Sequence, residues 1–194
     1  MKCILASKSP RRKEILTKLG IQFEIIPAEG EEIITSTDPA TVVEQLSCQK
    51  AQEVYDRMSA GEDNPFIIIG SDTVVAKSGE ILGKPKDKDD AFRMLKMLSG
   101  ASHSVFTGVT VIYASEDVMK QITFHDETKV FMYDIPDEEI WSMIDSGEPM
   151  DKAGAYAIQG LAGKFIYRIE GDYDNVVGLP GAKLYKCIKD EVGA

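Results

Sequence analysis

The hydrophobic positions of the chain switch repeatedly between the period of two that marks strands and the three-to-four spacing that marks helices. Lys2 to Ala6 reads as a short strand, and Ser9-Pro10 then supplies an N-cap followed by proline at the first helical position. Ile15, Leu16 and Leu19 share one side, which predicts a helix over Pro10 to Leu19 stopped by Gly20, with a strand near Phe23 to Ile26 after it. Asp38-Pro39 repeats the cap-and-proline signature. Val42, Val43, Leu46, Ala51 and Val54 then trace the apolar stripe of a longer helix ending near Met58. A loop is expected over Gly61 to Pro65. Phe66 to Ile69 reads as a buried strand that ends at Gly70-Ser71-Asp72, placing Asp72 at a strand exit before Thr73-Val74-Val75 continue extended into a Ser78-Gly79 hairpin turn.

Further along, Asp87 to Leu98 has the period of an amphipathic helix through Ala91, Phe92, Leu95 and Leu98, with Gly100 as its stop. Val105 to Tyr113 and Ile122 to Met132 alternate as strands, and the polar loop between them predicts an antiparallel pair. Ile135 to Ile144 reads as a helix, Phe165 to Ile169 as a strand and Leu184 to Ile188 as part of a closing helix. Mixed βα units and hairpins predict an α/β or α+β fold around a mixed β-sheet, with no boundary that divides 1–194 into separate domains.

Composition narrows the possibilities. With 194 residues, 43% hydrophobic and 28% charged, the chain can bury one substantial core and leaves little room for a long disordered tract. No apolar run approaches the ~18 residues that would span a bilayer. The apolar start Met1 to Ala6 stops at Ser7 and is followed by Arg11 and Arg12, unlike a secretory signal. Cys3, Cys48 and Cys187 lie far apart with no Cys-x-x-Cys pair, so neither a zinc ribbon nor a disulfide framework is indicated and a reducing, cytoplasmic setting is expected. Only His103 and His125 are available as imidazole ligands, so a metal is expected on oxygen ligands, as magnesium or manganese. A net charge of −10 disfavours nucleic acid as a partner but leaves room for a small anion held by locally gathered cations.

Several positions go against local propensity. Arg11 and Arg12 occupy the first turn of a helix, where the exposed N–H groups disfavour cations. They either face solvent or Glu14, or they hold an anion together with Ser7 and Ser9. Lys50 falls on the buried stripe of its helix, where it either snorkels to the rim or reaches a phosphate. Asp72 is either a turn-former or a catalytic carboxylate. Glu29, Glu31 and Glu32 are either a solvated run or part of a metal site. Lys84, in the stiff turn Leu82-Gly83-Lys84-Pro85, is a weak phosphate candidate by itself. Gln159, in the charged, glycine-rich stretch Glu148 to Gly160, can both donate and accept, as the edge of a nucleobase requires.

These segments, taken in order, resemble the Maf family of nucleotide pyrophosphatases. The resemblance is carried by Leu-Ala-Ser-Lys-Ser-Pro-Arg-Arg at 5–12, Glu31-Glu32, Gln49-Lys50-Ala51, Gly70 to Val75, Gly83-Lys84-Pro85, Leu98-Ser99-Gly100, Thr107-Gly108-Val109, Asp151 to Tyr156, Ile158-Gln159-Gly160 and Gly178-Leu179-Pro180. The segment Asp151 to Gly160 resembles the branch acting on dTTP and UTP. The resemblance implies an elongated α/β fold related to the inosine triphosphate pyrophosphatases, with two lobes around a cleft. It implies hydrolysis of a pyrimidine nucleoside triphosphate, including modified ones, to the monophosphate and pyrophosphate with a divalent metal. By position, Asp72 matches the proton acceptor, Arg11, Thr73 and Gln159 match substrate-selecting sites, and Arg12, Glu32, Lys50 and Lys84 match further active-site positions. Ser9 joins the substrate-binding set, and Glu32 and Asp72 form the expected metal pair. Ser71 stands where the family usually has alanine, and Ala157 where it usually has glycine. A homodimer is compatible with this reading. So are two rivals: a nucleotide-binding regulator of cell division without turnover, and a purine pyrophosphatase of the inosine-triphosphate kind.

Overall fold

The computed structural model describes residues 1–58 and 65–193, so the loop expected over Gly61 to Pro65 lies, apart from Pro65, outside the described residues. The architecture is α/β. Strands β1 (Lys2–Leu5), β2 (Glu24–Ile25), β3 (Phe66–Lys77), β4 (Glu80–Leu82), β5 (Ser102–Ala114), β6 (Met119–Met132) and β7 (Ile166–Glu170) bond in the order β2-β1-β3-β5-β6-β7, with β4 on β3. β1 is parallel to both β2 and β3, whereas β4 on β3 and β7 on β6 are antiparallel, which makes the sheet mixed. The helices are α1 (Pro10–Lys18), α2 (Pro39–Met58), α3 (Lys88–Leu98), α4 (Asp137–Asp145), α5 (Tyr173–Val177) and α6 (Gly181–Val192). Among the described residues no helix is long and apolar enough to cross a membrane.

The chain forms two compact units, each assembled from separated segments. Met1–Asp72, Thr107–Asp126 and Gly178–Ala194 make up the first, and Thr73–Phe106 and Glu127–Val177 the second. In the first, Ile4, Ala6, Phe66, Ile68, Ile112 and Ala114 of the sheet pack on Ala51 and Val54 of α2. Helix α2 starts at a side-chain cap, the Asp38 carboxylate accepting from both the amide and the hydroxyl of Thr41. It then lies unusually close to the sheet. A Cβ built on Gly70 would meet the carbonyl of Ser47 and come within 2.8 Å of the Ala51 amide nitrogen. One on Gly108 would meet the Val43 carbonyl. The second unit has its own core, in which Val75 and Leu82 pack with Leu95 and Leu98 of α3 and Ile140 and Ile144 of α4.

Two expectations need correction, and one element was not foreseen. Asp72 does not stand at a strand exit: β3 runs unbroken from Phe66 to Lys77 and carries it in its interior. Gly70 looked like an end signal, but it is there to admit the α2 backbone, and the β-branched residues beyond it keep the strand going. Helix α4 begins at Asp137 and not at Ile135, because a residue before proline is disfavoured in helical backbone and Ile135 gives its N–H to the Ser99 hydroxyl at 2.7 Å. Helix α5, with five residues, was too short to show a period.

Candidate active site

In the first unit the acidic and basic candidates come together on one face of β3. Phe66 and Ile68 pack toward α2, and Gly70 admits its backbone. The strand period of two turns Asp72 the same way. Lys50 precedes Ala51, the α2 residue seated on Gly70, so its ammonium arrives where the Asp72 carboxylate points. The two form an ion pair in which Lys50 is 19% and Asp72 15% exposed. The same ammonium lies 2.8 Å from a carboxylate oxygen of Glu32, which is half exposed. Lys50 therefore does not end in bulk solvent; it bridges the two carboxylates expected to hold a metal.

Helix α1 supplies the arginines. Arg12 Nε donates to the Gly178 carbonyl at 2.8 Å and Nη1 to the Ser7 hydroxyl at 3.0 Å, which fixes the plane of the guanidinium. Burial pulls its pKa down from the ordinary value, attraction to Asp72 and Glu32 opposes this, and repulsion from Arg11 adds to it. These influences place Arg12 in the same electrostatic neighbourhood as the two carboxylates and Arg11, and a guanidinium stays charged throughout. Arg11 is half-buried and has no carboxylate partner among the described residues. Ser9 is the helix N-cap, but its side chain makes no capping bond, so its hydroxyl remains available at the start of α1. The departure at Ser71 is accommodated: its buried hydroxyl donates to the same Gly178 carbonyl at 3.2 Å.

The second unit carries the other candidates. Thr73 is half-buried on β3 directly after Asp72. Lys84 is exposed, and its ammonium has no partner among the described residues. The Gly83 carbonyl beside it accepts from the Gly154 amide at 3.0 Å, tying this turn to the stretch that leads to Gln159. Gln159 sits exposed in a tight turn closed by Gly160 N–H on the Ala157 carbonyl at 3.0 Å, so its amide faces outward. Tyr156, just before that turn, is buried and bonded to His103 at 2.7 Å, a pairing between sequence-distant residues that local pattern could not reveal.

Among the described residues no three His, Cys, Asp or Glu side chains are grouped to enclose a metal. Glu32 and Asp72 reach a common cation, Lys50, and two carboxylates of this kind could hold a hard divalent ion. The fold and this cluster define a class: an α/β protein that gathers two carboxylates, a lysine and a pair of arginines near the start of a helix, a charge set able to hold an anion.

The chain belongs to the Maf family: the family pattern described as Maf-like protein matches residues 2–191. Among similar proteins, one from Agathobacter rectalis named dTTP/UTP pyrophosphatase is 52% identical over 96% of this chain and 95% of its own length. Others of the same name, from Carboxydothermus hydrogenoformans and Thermoanaerobacter sp. (strain X514), are 49% and 47% identical; the matches span 98% of this chain and 98% and 97% of theirs. A solved structure of a nucleoside-triphosphatase / dITP/XTP pyrophosphatase from Mycobacterium abscessus aligns with a TM-score of 0.40 and 14% identity, covering 70% of this chain and 76% of that one.

Proposed function

We propose that this chain is a nucleoside triphosphate pyrophosphatase that hydrolyses dTTP and UTP to the monophosphate and pyrophosphate. The observation that carries the reading is the gathering of Asp72, Glu32, Lys50 and Arg12 in one electrostatic cluster within a family whose similar members bear that activity in their names. In the reaction the Asp72 carboxylate takes a proton from water as the water oxygen bonds to the α-phosphorus. The bond from that phosphorus to the bridging oxygen breaks, and pyrophosphate leaves with the electron pair. Arg12 and Lys50 neutralise phosphate charge, and the Ser9 hydroxyl and the N–H groups opening α1 can donate to phosphate oxygens. Glu32 and Asp72 would hold a magnesium or manganese ion, which when bound supplies charge neutralisation and a template for the phosphates. On the family resemblance, Lys84 adds a further phosphate contact, while Arg11, Thr73 and Gln159 select the nucleotide, Gln159 by pairing with the pyrimidine edge. A cytoplasmic location accompanies this reading, since the three cysteines are free thiols and the substrate is a metabolite of the reducing interior.

Incubation with magnesium or manganese and a panel of UTP, dTTP, CTP, GTP, ITP and XTP, with detection of pyrophosphate and monophosphate, tests reaction and base preference together. UTP and dTTP are expected to lead. Preference for ITP and XTP would favour the purine reading, and binding without turnover would favour the regulator. Asp72→Asn should lower turnover by roughly 10²- to 10⁴-fold in a protein that still folds cooperatively, with a melting midpoint lowered by loss of the Lys50 ion pair. A folded Asp72→Asn protein releasing pyrophosphate at the wild-type rate would refute the role given to this carboxylate.

A further inference from the structure

The polar side of α2 has no part in the chemistry so far. Gln45, Gln49, Glu53 and Arg57 are spaced four apart and so share one helix face. Each holds a successive point on the segment 27–35. Arg57 donates to the Pro27 carbonyl at 2.7 Å. The two carboxylate oxygens of Glu53 accept from the amides of Glu29 at 2.8 Å and Gly30 at 2.9 Å. The Gln49 amide accepts from Ile33 N–H at 3.0 Å and donates to the Ile33 carbonyl at 2.6 Å. Gln45 donates to the Thr35 hydroxyl at 2.9 Å. The segment thus runs antiparallel to the helix and is gripped once per turn.

Further holds on this segment are the packing of Ala28 on the core at its start and the ion pairs of Glu29 with Lys8 at 3.3 Å and of Glu32 with Lys50 at 2.8 Å. The segment has no regular secondary structure and is exposed from Glu29 to Thr35, with Ile33 at 62% and Ile34 at 55%, so burial of apolar surface does not pin that stretch. A Cβ on Gly30 would lie 3.0 Å from the Glu53 carboxylate, close to the limit of contact, so glycine suits the grip at that point. Glu32 lies between the grip of Glu53 and that of Gln49. Lys50, the next residue of the helix, meets Glu32 at 2.8 Å. The backbone on both sides of Glu32 is therefore fixed to the helix that carries its partner.

The geometry points to Gln49 as a positioning residue for the proposed reaction, one that holds Glu32 against Lys50 and Asp72 by clamping both backbone groups of Ile33; the inference rests on the pyrophosphatase reading. Without the clamp Glu32 is tethered through a solvated loop, and its carboxylate samples positions away from the reacting centre. Loss of such an outer contact characteristically lowers activity by about 10- to 100-fold. The effect must vanish when Glu32 has already lost its charge, because Gln49 touches no reacting group.

The test is a double-mutant cycle of Gln49→Met and Glu32→Gln, read as kcat and KM for UTP with magnesium, with amide hydrogen exchange followed at Gly30 and Ile33. Methionine keeps the length and helix propensity of glutamine and removes only its hydrogen bonds. In the wild-type background Gln49→Met should lower kcat about 10-fold or more, with a smaller change in KM. Ile33 should lose protection, and the melting midpoint should stay near wild type. In the Glu32→Gln background the same change should leave kcat within about twofold. An equal loss of kcat in both backgrounds, or retained protection at Ile33, overturns the positioning role. A wild-type protein that releases no pyrophosphate from any triphosphate overturns the functional reading instead, a result visible before any variant is compared.

Discussion

Lys50 shows why single residues in this chain resist reading by local rules. Its place on the apolar stripe of α2 marks it as buried, yet among the described residues its ammonium pairs with Asp72, twenty-two residues away, and with Glu32 on an irregular segment. A lysine so enclosed is tolerable because two carboxylates replace its water. His103 presents the opposite case, a buried imidazole with no carboxylate partner among the described residues. It bonds to the Tyr156 hydroxyl, its Nδ1 has no partner among the described residues, and burial, helped by the positive charge of Lys77, pushes its pKa down to about 4. The unfolded chain takes up a proton here as pH falls through 6.5, the ordinary value, whereas the folded protein does not until about 4. Stability attributable to this group is therefore intact above pH 6.5 and drains away across that window, by at most ~1.4 kcal/mol per pH unit. Urea unfolding of wild type and His103→Phe at pH 7.5, 6 and 5 checks this. The variant has lost a bond to Tyr156 and should start lower, but its stability should fall less steeply on acidification. Parallel slopes would mean that His103 is charged in the fold.

At the scale of elements, the ends of helices were the most legible feature and long-range packing the least. Ser9-Pro10 and Asp38-Pro39 announced α1 and α2 because proline fixes φ at the first helical position, and at α2 the Asp38 side chain also caps the first turn. Asp72 was legible as a functional candidate but not as a mid-strand residue, since Gly70 carries the same letter whether it ends a strand or admits a helix backbone. The polar ladder Gln45, Gln49, Glu53 and Arg57 was in principle visible as an i, i+4 stripe beside the apolar one. Its meaning was not, because side chains that grip backbone impose no pattern on the residues they hold. The closeness of α2 to β3 makes Gly70 a sharp test of how the element places the site. Gly70→Ala must push the Ser47–Ala51 backbone away from the strand. The expected cost is about 1–3 kcal/mol by urea unfolding, as for overpacked cores, with loss of pyrophosphatase activity as Lys50 withdraws from Asp72. An alanine variant of wild-type stability and activity would show that α2 does not need this approach.

The whole molecule sets a contradiction that its function resolves. A chain with a net charge of −10 places Arg11 and Arg12 side by side at the positive end of a helix, with the carboxylates near them already shared with Lys50. Asp72 and Glu32 attract Arg12, but no carboxylate among the described residues partners Arg11, and a bound triphosphate would bring Arg11 that negative charge. Free and liganded stabilities should therefore respond to Arg11→Ala with opposite signs. In the free protein, removing a cation from the first turn and from beside Arg12 should raise stability by roughly 0.3–1 kcal/mol. With magnesium and an α,β-methylene analogue of UTP at about 100 times its dissociation constant, wild type should gain ~2.7 kcal/mol. At the same analogue concentration the variant should gain less, by ~1.4 kcal/mol for each tenfold loss of affinity. Differential scanning calorimetry with and without the analogue reads both quantities in one protein preparation. Were Arg11→Ala to destabilise the free protein and leave the ligand-induced gain intact, Arg11 would be a structural residue, and the surplus of cations at the start of α1 would need another explanation.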